Sequence, residues 1–313
     1  MVVLIQLPEG LKHKTPEIIK KLNIANEQIV ISASAMYGGC DIAIDEARAI
    51  GADKIIHVGH TYFPLRRELN GIEVEYIPYY IDINIGWPEL IDELKSRSIK
   101  VLSILTTTQH YHQYEQIVKY FEENGFENRV RKGPFCSNTG QVLGCDAYAI
   151  DESAQAAVII ADGVFHWTAA THVVDRMLVY GLNPHTGKFI IVNDLLRKMN
   201  NRRMASIFKA AEMNRFGILV STKPGQFSYR LAEKMKRELE KYGKEVYILV
   251  ANNLDPNTIS NFVFIEAFIN TACPRIVDDV EQYKKPIVNP DGFKILIELI
   301  RQYHRDQTQS ESP

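Results

Sequence analysis

Gly39-Cys40-Asp41-Ile42-Ala43-Ile44-Asp45-Glu46 and Gly144-Cys145-Asp146-Ala147-Tyr148-Ala149-Ile150-Asp151-Glu152 are two copies of one pattern, offset by a single inserted residue. Each is followed by an apolar segment that ends in glycine and histidine: Ile55-Ile56-His57-Val58-Gly59-His60 in the first, Val158-Ile159-Ile160-Ala161-Asp162-Gly163-Val164-Phe165-His166 in the second. Two matched segments in the same order mark an internal repeat.

Around this repeat, apolar runs of strand length alternate with amphipathic stretches of helical length, the pattern of βαβ units and parallel sheets. The first set of strands is expected at Val2–Leu7, Gln28–Ser34, Lys54–His60 and Val74–Tyr80, with helices at Leu11–Leu22, Asp41–Ile50 and Pro88–Arg97. The pattern restarts with strands at Val101–Thr108, Asn128–Phe135, Ala157–Gly163 and Lys188–Val192, and a helix at Tyr114–Asn124 that stops at Gly125. After a helix at Leu195–Met213 it restarts again: strands at Phe216–Ser221, Val246–Val250, Phe262–Phe268 and Pro286–Val288, with a charged helix at Tyr229–Tyr242. The expected fold class is therefore α/β, with three repeated domains at 1–97, 98–205 and 206–313, each a small parallel sheet flanked by helices. The polar stretch Asp306–Pro313 reads as a disordered tail.

Composition narrows the function classes. The net charge of −2 over 313 residues argues against general nucleic-acid binding, and Arg131-Lys132 and Arg202-Arg203 read as solvated faces. No apolar run reaches membrane-span length, and the N-terminus lacks a basic leader, so a cytoplasmic location is expected. No P-loop or G-x-G-x-x-G is present.

The four cysteines are too widely spaced for a disulfide framework, and no C-x-x-C occurs. In a parallel sheet, ligands bind beyond the carboxyl ends of the strands. Cys40 follows the second strand of the first unit, Cys145 the second strand of the second, and Cys273 the third strand of the third. All three therefore belong to the functional edge of their own sheet. Cys40 and Cys145 are also expected at helix N-termini, where a thiolate is favoured, and the preceding glycines permit close backbone approach. Three thiolates suit an iron–sulfur cluster shared by the three domains, with one iron left open to substrate. Cys136 falls outside the repeat register and reads as a free thiol or a supporting side chain.

The segments Gln6-Leu7-Pro8-Glu9-Gly10-Leu11, Tyr37-Gly38-Gly39-Cys40-Asp41, Val58-Gly59-His60-Thr61, Gly140-Gln141-Val142-Leu143-Gly144-Cys145-Asp146 and Ala272-Cys273-Pro274-Arg275 resemble the diphthamide synthesis family, in order and over almost the whole chain. The resemblance implies a radical enzyme that uses S-adenosylmethionine as substrate and a 4Fe-4S cluster held by Cys40, Cys145 and Cys273. The conventional C-x-x-x-C-x-x-C motif is absent here, as it is in the family. It further implies transfer of a 3-amino-3-carboxypropyl group to C2 of a histidine of elongation factor 2, release of 5′-methylthioadenosine, a homodimer, and an electron donor that the sequence does not identify.

Several residues are candidates for holding S-adenosylmethionine, each with a plainer reading beside it. Arg275 is placed to hold a carboxylate or to form a surface ion pair. Gln226, after Thr222-Lys223-Pro224-Gly225, contacts the ligand or starts a helix. His60 and His166 line the cavity or cap strands; Tyr37 and Gly38 pack on the ligand or shape the loop. Two rivals stand beside this reading. Quinolinate synthase has a similar three-domain, three-cysteine logic with small dicarboxylate-like substrates, and a non-catalytic scaffold would use the cysteines structurally.

Overall fold

The computed structural model describes residues 1–22, 24 and 28–310, with the side chains of 280 and 306–310 left out. The first sheet is built from β1 (Val2–Gln6), β2 (Gln28–Ile31), β3 (Lys54–Val58) and β4 (Glu73–Ile77), in the order β2-β1-β3-β4 and parallel throughout. Helices α1 (Thr15–Leu22) and α2 (Ile44–Ala49) connect them, and α3 (Pro88–Ser96) leads out. Alternate residues of β1 and β3 face opposite ways, as strand geometry requires. Val3, Ile5, Ile56 and Val58 pack with Ile18 of α1, while Leu4 and Ile55 pack with Ile44 and Ala47 of α2. Both faces of the sheet are thus covered, which is why its strands read as continuous apolar runs.

The second sheet contains β5 (Val101–Thr106), β6 (Glu127–Asn128), β7 (Ala156–Ile160), β8 (Leu178–Leu182) and β9 (Phe189–Ile191), in the order β6-β5-β7-β8-β9. Only β9 runs antiparallel. Helix α4 (Tyr114–Glu123) places Ile117 and Phe121 against Leu102, Ile104 and Val158. The short α5 (Val164–Trp167) places Trp167 on the other face with Ile159 and Val179. Helix α6 (Asn193–Ala211) follows. The third sheet, β10 (Arg215–Ser221), β11 (Glu245–Ala251), β12 (Ala267–Asn270) and β13 (Ile287–Val288), is parallel in the order β11-β10-β12-β13. Its helices are α7 (Tyr229–Glu240), α8 (Pro256–Ile259), α9 (Val280–Tyr283) and α10 (Phe293–Ser310). In each sheet the first four strands in chain order take the same places, second-first-third-fourth. The chain forms two compact units, Met1–Arg197 with the first two sheets and Lys198–Pro313 with the third.

The structure corrects several sequence expectations. The strand expected at Asn128–Phe135 pairs only at Glu127–Asn128, then gives way to isolated antiparallel bridges, Val130 to Ile150 and Lys132 to Thr139. The fourth strand of the second sheet is Leu178–Leu182, and the expected Lys188–Val192 strand is the antiparallel edge. Gly181 masks β8 as a strand in the sequence. A Cβ there would lie 2.3 Å from Cδ2 of the buried Trp167, so that ring occupies the space a side chain would need. In the third sheet, the strand after Phe262 begins only at Ala267. Phe262–Ile265 is a turn closed by Ile265 N–H donating to the Phe262 carbonyl (3.1 Å), and its aromatic side chains pack on one another and on Tyr247. The expected tail is helical from Asp306 to Ser310, while 311–313 lie outside the described residues.

Candidate functional site

The Gly-Cys-Asp repeat folds into the same turn twice. In Gly38-Gly39-Cys40-Asp41 the Asp41 N–H donates to the Gly38 carbonyl (2.9 Å), and in Leu143-Gly144-Cys145-Asp146 the Asp146 N–H donates to the Leu143 carbonyl (3.1 Å). Each cysteine is the third residue of a four-residue turn. Neither is at a helix N-terminus as the sequence suggested: α2 begins at Ile44, and no helix follows Cys145 before Val164. The local rule missed this because the residue after each cysteine is used to close a turn. Both turn glycines are crowded. A Cβ on Gly144 would lie 1.9 Å from Phe165 Cε1, and one on Gly39 would lie 3.0 Å from the Thr61 carbonyl.

The two aspartates brace these turns. Asp41 Oδ2 accepts from Tyr37 N–H (3.2 Å). Asp146 Oδ2 accepts from Phe135 N–H (2.7 Å), and its Oδ1 accepts from Tyr148 N–H (3.0 Å). Both carboxylates are buried, and buried carboxylates hold backbone donors strongly. The Cys40 turn is also held by Tyr76, whose hydroxyl donates to the Gly39 carbonyl (3.0 Å).

Gln6 supports the same turn through Asp41, its Nε2 donating to the Asp41 carbonyl (2.8 Å), while Ala43 N–H donates to its Oε1 (3.1 Å). His57, fully buried on β3, places Nδ1 3.3 Å from that oxygen and Nε2 3.1 Å from His60 Nδ1. An amide oxygen can only accept, so His57 Nδ1 carries the proton and His57 Nε2 accepts from His60 Nδ1–H. The neutral His60 ring is left with Nε2 as its acceptor. Burial, and secondarily the charge of His166, lowers the pKa of His60 to about 4; burial lowers that of His57 well below its usual value. Both rings are neutral at pH 7. Sequence reading found His60 but not His57 or Gln6, whose positions inside strands read as plain core.

Contacts between loops bring the surroundings of Cys40 and Cys145 together within the first unit. Thr61, against which Gly39 packs, accepts at Oγ1 from Gln141 Nε2 (2.8 Å). Ser137 Oγ donates to the Tyr62 carbonyl (2.8 Å), and Phe63 stacks on Phe135 with centroids 5.3 Å apart. His166 lies on α5, a helical turn, and not at the end of a strand; its charge acts on His60. Tyr37 is exposed, and the Cys40 thiol folds back toward Gly38, 3.7 Å from where a Cβ would stand there.

Cys273 is presented differently, as the first residue of a turn: Ile276 N–H donates to its carbonyl (3.1 Å). Buried Asn270, at the end of β12, also donates to that carbonyl (2.8 Å) and to Asn289 Oδ1 (2.7 Å). Burial raises the thiol's pKa, with nearby Arg275 opposing. Arg275 Nε lies 2.7 Å from Asp278 Oδ2, and Asp278 Oδ1 also accepts from Arg203 (2.9 Å), so this ion pair is internal, not on the surface. Gln226 is buried in a turn closed by its N–H to the Lys223 carbonyl (2.9 Å), and α7 starts only at Tyr229.

The cysteines are free of disulfides. Cys40, Cys145 and Cys273 are each partly exposed; Cys136 is buried, its Sγ 3.2 Å from the Gln141 carbonyl, with its pKa raised by burial and by Asp146. Partly exposed thiols free of disulfides are the ligand type that suits an iron–sulfur cluster, and buried Cys136 is not presented in that way.

A family model described as "Putative diphthamide synthesis protein" matches residues 7–308. The chain belongs to this diphthamide synthesis family. A relative named 2-(3-amino-3-carboxypropyl)histidine synthase, from Pyrococcus horikoshii, is 32% identical over 97% of this chain and 88% of its own length. A Caenorhabditis elegans relative, 2-(3-amino-3-carboxypropyl)histidine synthase subunit 1, is 26% identical over 95% of this chain and 76% of its own. Among solved structures, Dph2 from Pyrococcus horikoshii with a 4Fe-4S cluster superimposes with a TM-score of 0.81 at 30% identity, covering 95% of this chain and 86% of that one. Membership of the family favours the diphthamide reading over the quinolinate synthase one. No helix among the described residues is long and apolar enough to cross a membrane.

Proposed function

We propose that the chain is a 2-(3-amino-3-carboxypropyl)histidine synthase. It transfers the 3-amino-3-carboxypropyl group of S-adenosylmethionine to C2 of a histidine imidazole on elongation factor 2 and leaves 5′-methylthioadenosine. The reading rests on the repeated turn that presents Cys40 and Cys145 in a chain 32% identical, over 97% of its length, to the Pyrococcus synthase. Cys40, Cys145 and Cys273, one from each of the segments 1–97, 98–205 and 206–313, would hold a 4Fe-4S cluster. When bound, that cluster supplies the electron that breaks the bond from sulfur to the γ-carbon.

The rest of the work falls to the chain itself. Asp41 and Asp146 fix the two turns, and at Gly39 the Thr61 carbonyl limits the drift of the first. Neutral His60, oriented through His57 and Gln6, offers Nε2 as an acceptor toward the ligand without adding positive charge beside a sulfonium. We assign His166 beside it, Gly38 against the Cys40 thiol, Tyr37 from the same loop, and the Gln226 amide from the third segment to the ligand. Arg275, oriented by Asp278, is assigned to the carboxylate of the transferred group. The enzyme acts as a cytoplasmic homodimer and takes its electron from a separate reductant.

The test is anaerobic incubation of the reduced, iron- and sulfide-loaded protein with S-adenosylmethionine and archaeal elongation factor 2, followed by chromatography of the nucleosides. Formation of 5′-methylthioadenosine with labelling of the factor is the expected result. Formation of 5′-deoxyadenosine, or of no nucleoside, would remove the assignment.

A further inference from the structure

The second sheet carries another group of donors that the reaction above does not use. His110 lies in the 3-10 turn Thr108–Gln113 after β5, Asp162 two residues beyond β7, and His185 in the connection from β8 to β9. These three strands are neighbours in the sheet, so the residues meet at its carboxyl edge. His110 Nε2 is 3.2 Å from Asp162 Oδ1, and His185 Nε2 is 3.3 Å from the same oxygen. All three donor atoms lie within 4.8 Å of one another.

Hydrogen bonding fixes one proton of His110. Its Nδ1 is 2.9 Å from the Ile81 carbonyl, which can only accept, so Nδ1 carries a proton. In the neutral ring, Nε2 then turns its lone pair toward a carboxylate oxygen, and two acceptors at 3.2 Å need a cation between them. A proton on Nε2 satisfies one such contact. A metal ion satisfies both imidazoles and the carboxylate together. Around a tetrahedral zinc ion with nitrogen and oxygen ligands at about 2.0–2.1 Å, neighbouring donor atoms stand roughly 3.3 Å apart. The two observed separations match that spacing.

The support is of the kind found behind ligating histidines. A metal-bound imidazole commonly donates its other N–H to a backbone carbonyl, as His110 does to Ile81. Asn183 holds the His185 loop, accepting from His185 N–H (3.0 Å) and donating to the Asp162 carbonyl (3.2 Å). The His110 side chain is fully buried, whereas those of Asp162 and His185 are 56% and 43% exposed, which leaves a route in and a coordination position for water. Two imidazoles and one carboxylate suit a borderline ion; calcium and magnesium prefer an all-oxygen shell. We propose that His110, Asp162 and His185 bind one divalent transition-metal ion of the zinc class, separate from the three-cysteine set.

Bound zinc is to be counted by anaerobic equilibrium dialysis of the full-length protein against Zn²⁺, for wild type, His185→Ala and His110→Gln. Zinc held by cysteines is common to all three and cancels. His185 is exposed, so its variant folds even where substitution of buried His110 does not. We expect wild type to bind one equivalent more, with loss of His185 weakening that equivalent by at least the roughly 10–100-fold that loss of an outer-shell partner costs. Iron uptake on cluster reconstitution should be the same in wild type and His185→Ala. Equal zinc stoichiometry and affinity in wild type and His185→Ala would leave only a protonated His110–Asp162 pair and overturn the proposal.

Discussion

Cys136 Sγ lies 3.6 Å from Asp146 Oδ2, so the fourth thiol shares an acceptor with the turn that presents Cys145. The same carboxylate oxygen takes the Phe135 N–H. A residue placed this way braces a loop and is poorly placed to leave it for a metal. Alanine at Cys40, Cys145 or Cys273 should each sharply lower iron and sulfide content after anaerobic reconstitution. Cys136→Ala should keep the cluster and lose only stability. Equal iron in all four variants would sink the three-cysteine assignment.

Asp146→Ala tests the brace itself. It removes the fully buried carboxylate that accepts the Phe135 and Tyr148 N–H groups, and a buried donor left unsatisfied costs about 1–3 kcal/mol. We expect destabilisation of about 2–4 kcal/mol in denaturant titrations of the full chain. Iron content should fall as well, because the Cys145 turn is no longer closed in one geometry. A variant as stable as wild type would show that the carboxylate is not a support.

Gly181 and Gly144 should respond differently to alanine although both lack room for a Cβ. At Gly181 the obstacle is the buried Trp167 ring, which is packed in the core between α5 and the sheet. Gly181→Ala should cost about 1–3 kcal/mol through overpacking. At Gly144 the obstacle is Phe165, whose side chain is half exposed and can swing away. Gly144→Ala should leave the melting temperature close to wild type but lower turnover by shifting Cys145. The reverse ranking in a thermal melt would contradict this account.

These glycines also show where the sequence was legible. Strands buried on both faces, such as Val2–Gln6 and Arg215–Ser221, were found because parallel packing makes them uniformly apolar. The repeat at Cys40 and Cys145 was visible because the same turn needs the same three residue types. What it did was not visible, since glycine before cysteine fits a helix start as well as a turn. Leu178–Leu182 was missed because its glycine answers to Trp167, a distant side chain. Phe262–Phe268 was read as strand throughout because aromatic residues in a turn look like strand residues until their partner, Tyr247, is known. His57 was invisible for a related reason: only the fold puts Gln6 and His60 on its two nitrogens.

Glu266 predicts an acid-sensitive component of stability. Bonds from the Arg215 guanidinium and from the Asn214 and Arg215 N–H groups lower its pKa from 4.5 to about 2. A carboxylate with a depressed folded-state pKa contributes stability above its unfolded pKa and loses it as pH falls through the folded value. Wild type should therefore lose stability relative to Glu266→Gln between about pH 4.5 and 2, and hold a constant advantage above that window. The comparison is read from urea midpoints at a series of pH values. Parallel curves for the two proteins would show that the pair contributes nothing.

Each sheet is assembled from strands that are contiguous along the chain, the first complete by Ile77, the second by Ile191 and the third by Val288. Among the described residues no strand pairs with one from another sheet, so during synthesis each can pair as it emerges from the ribosome. The thiols do not share that independence, because Cys273 is translated more than a hundred residues after Cys145. On the proposed three-cysteine site, metal loading would be deferred until Cys273, which follows β12, has been translated. A chain stalled before that point would have two finished sheets and only two of the three proposed thiols, so on this reading the order of synthesis would itself guard against premature insertion of iron.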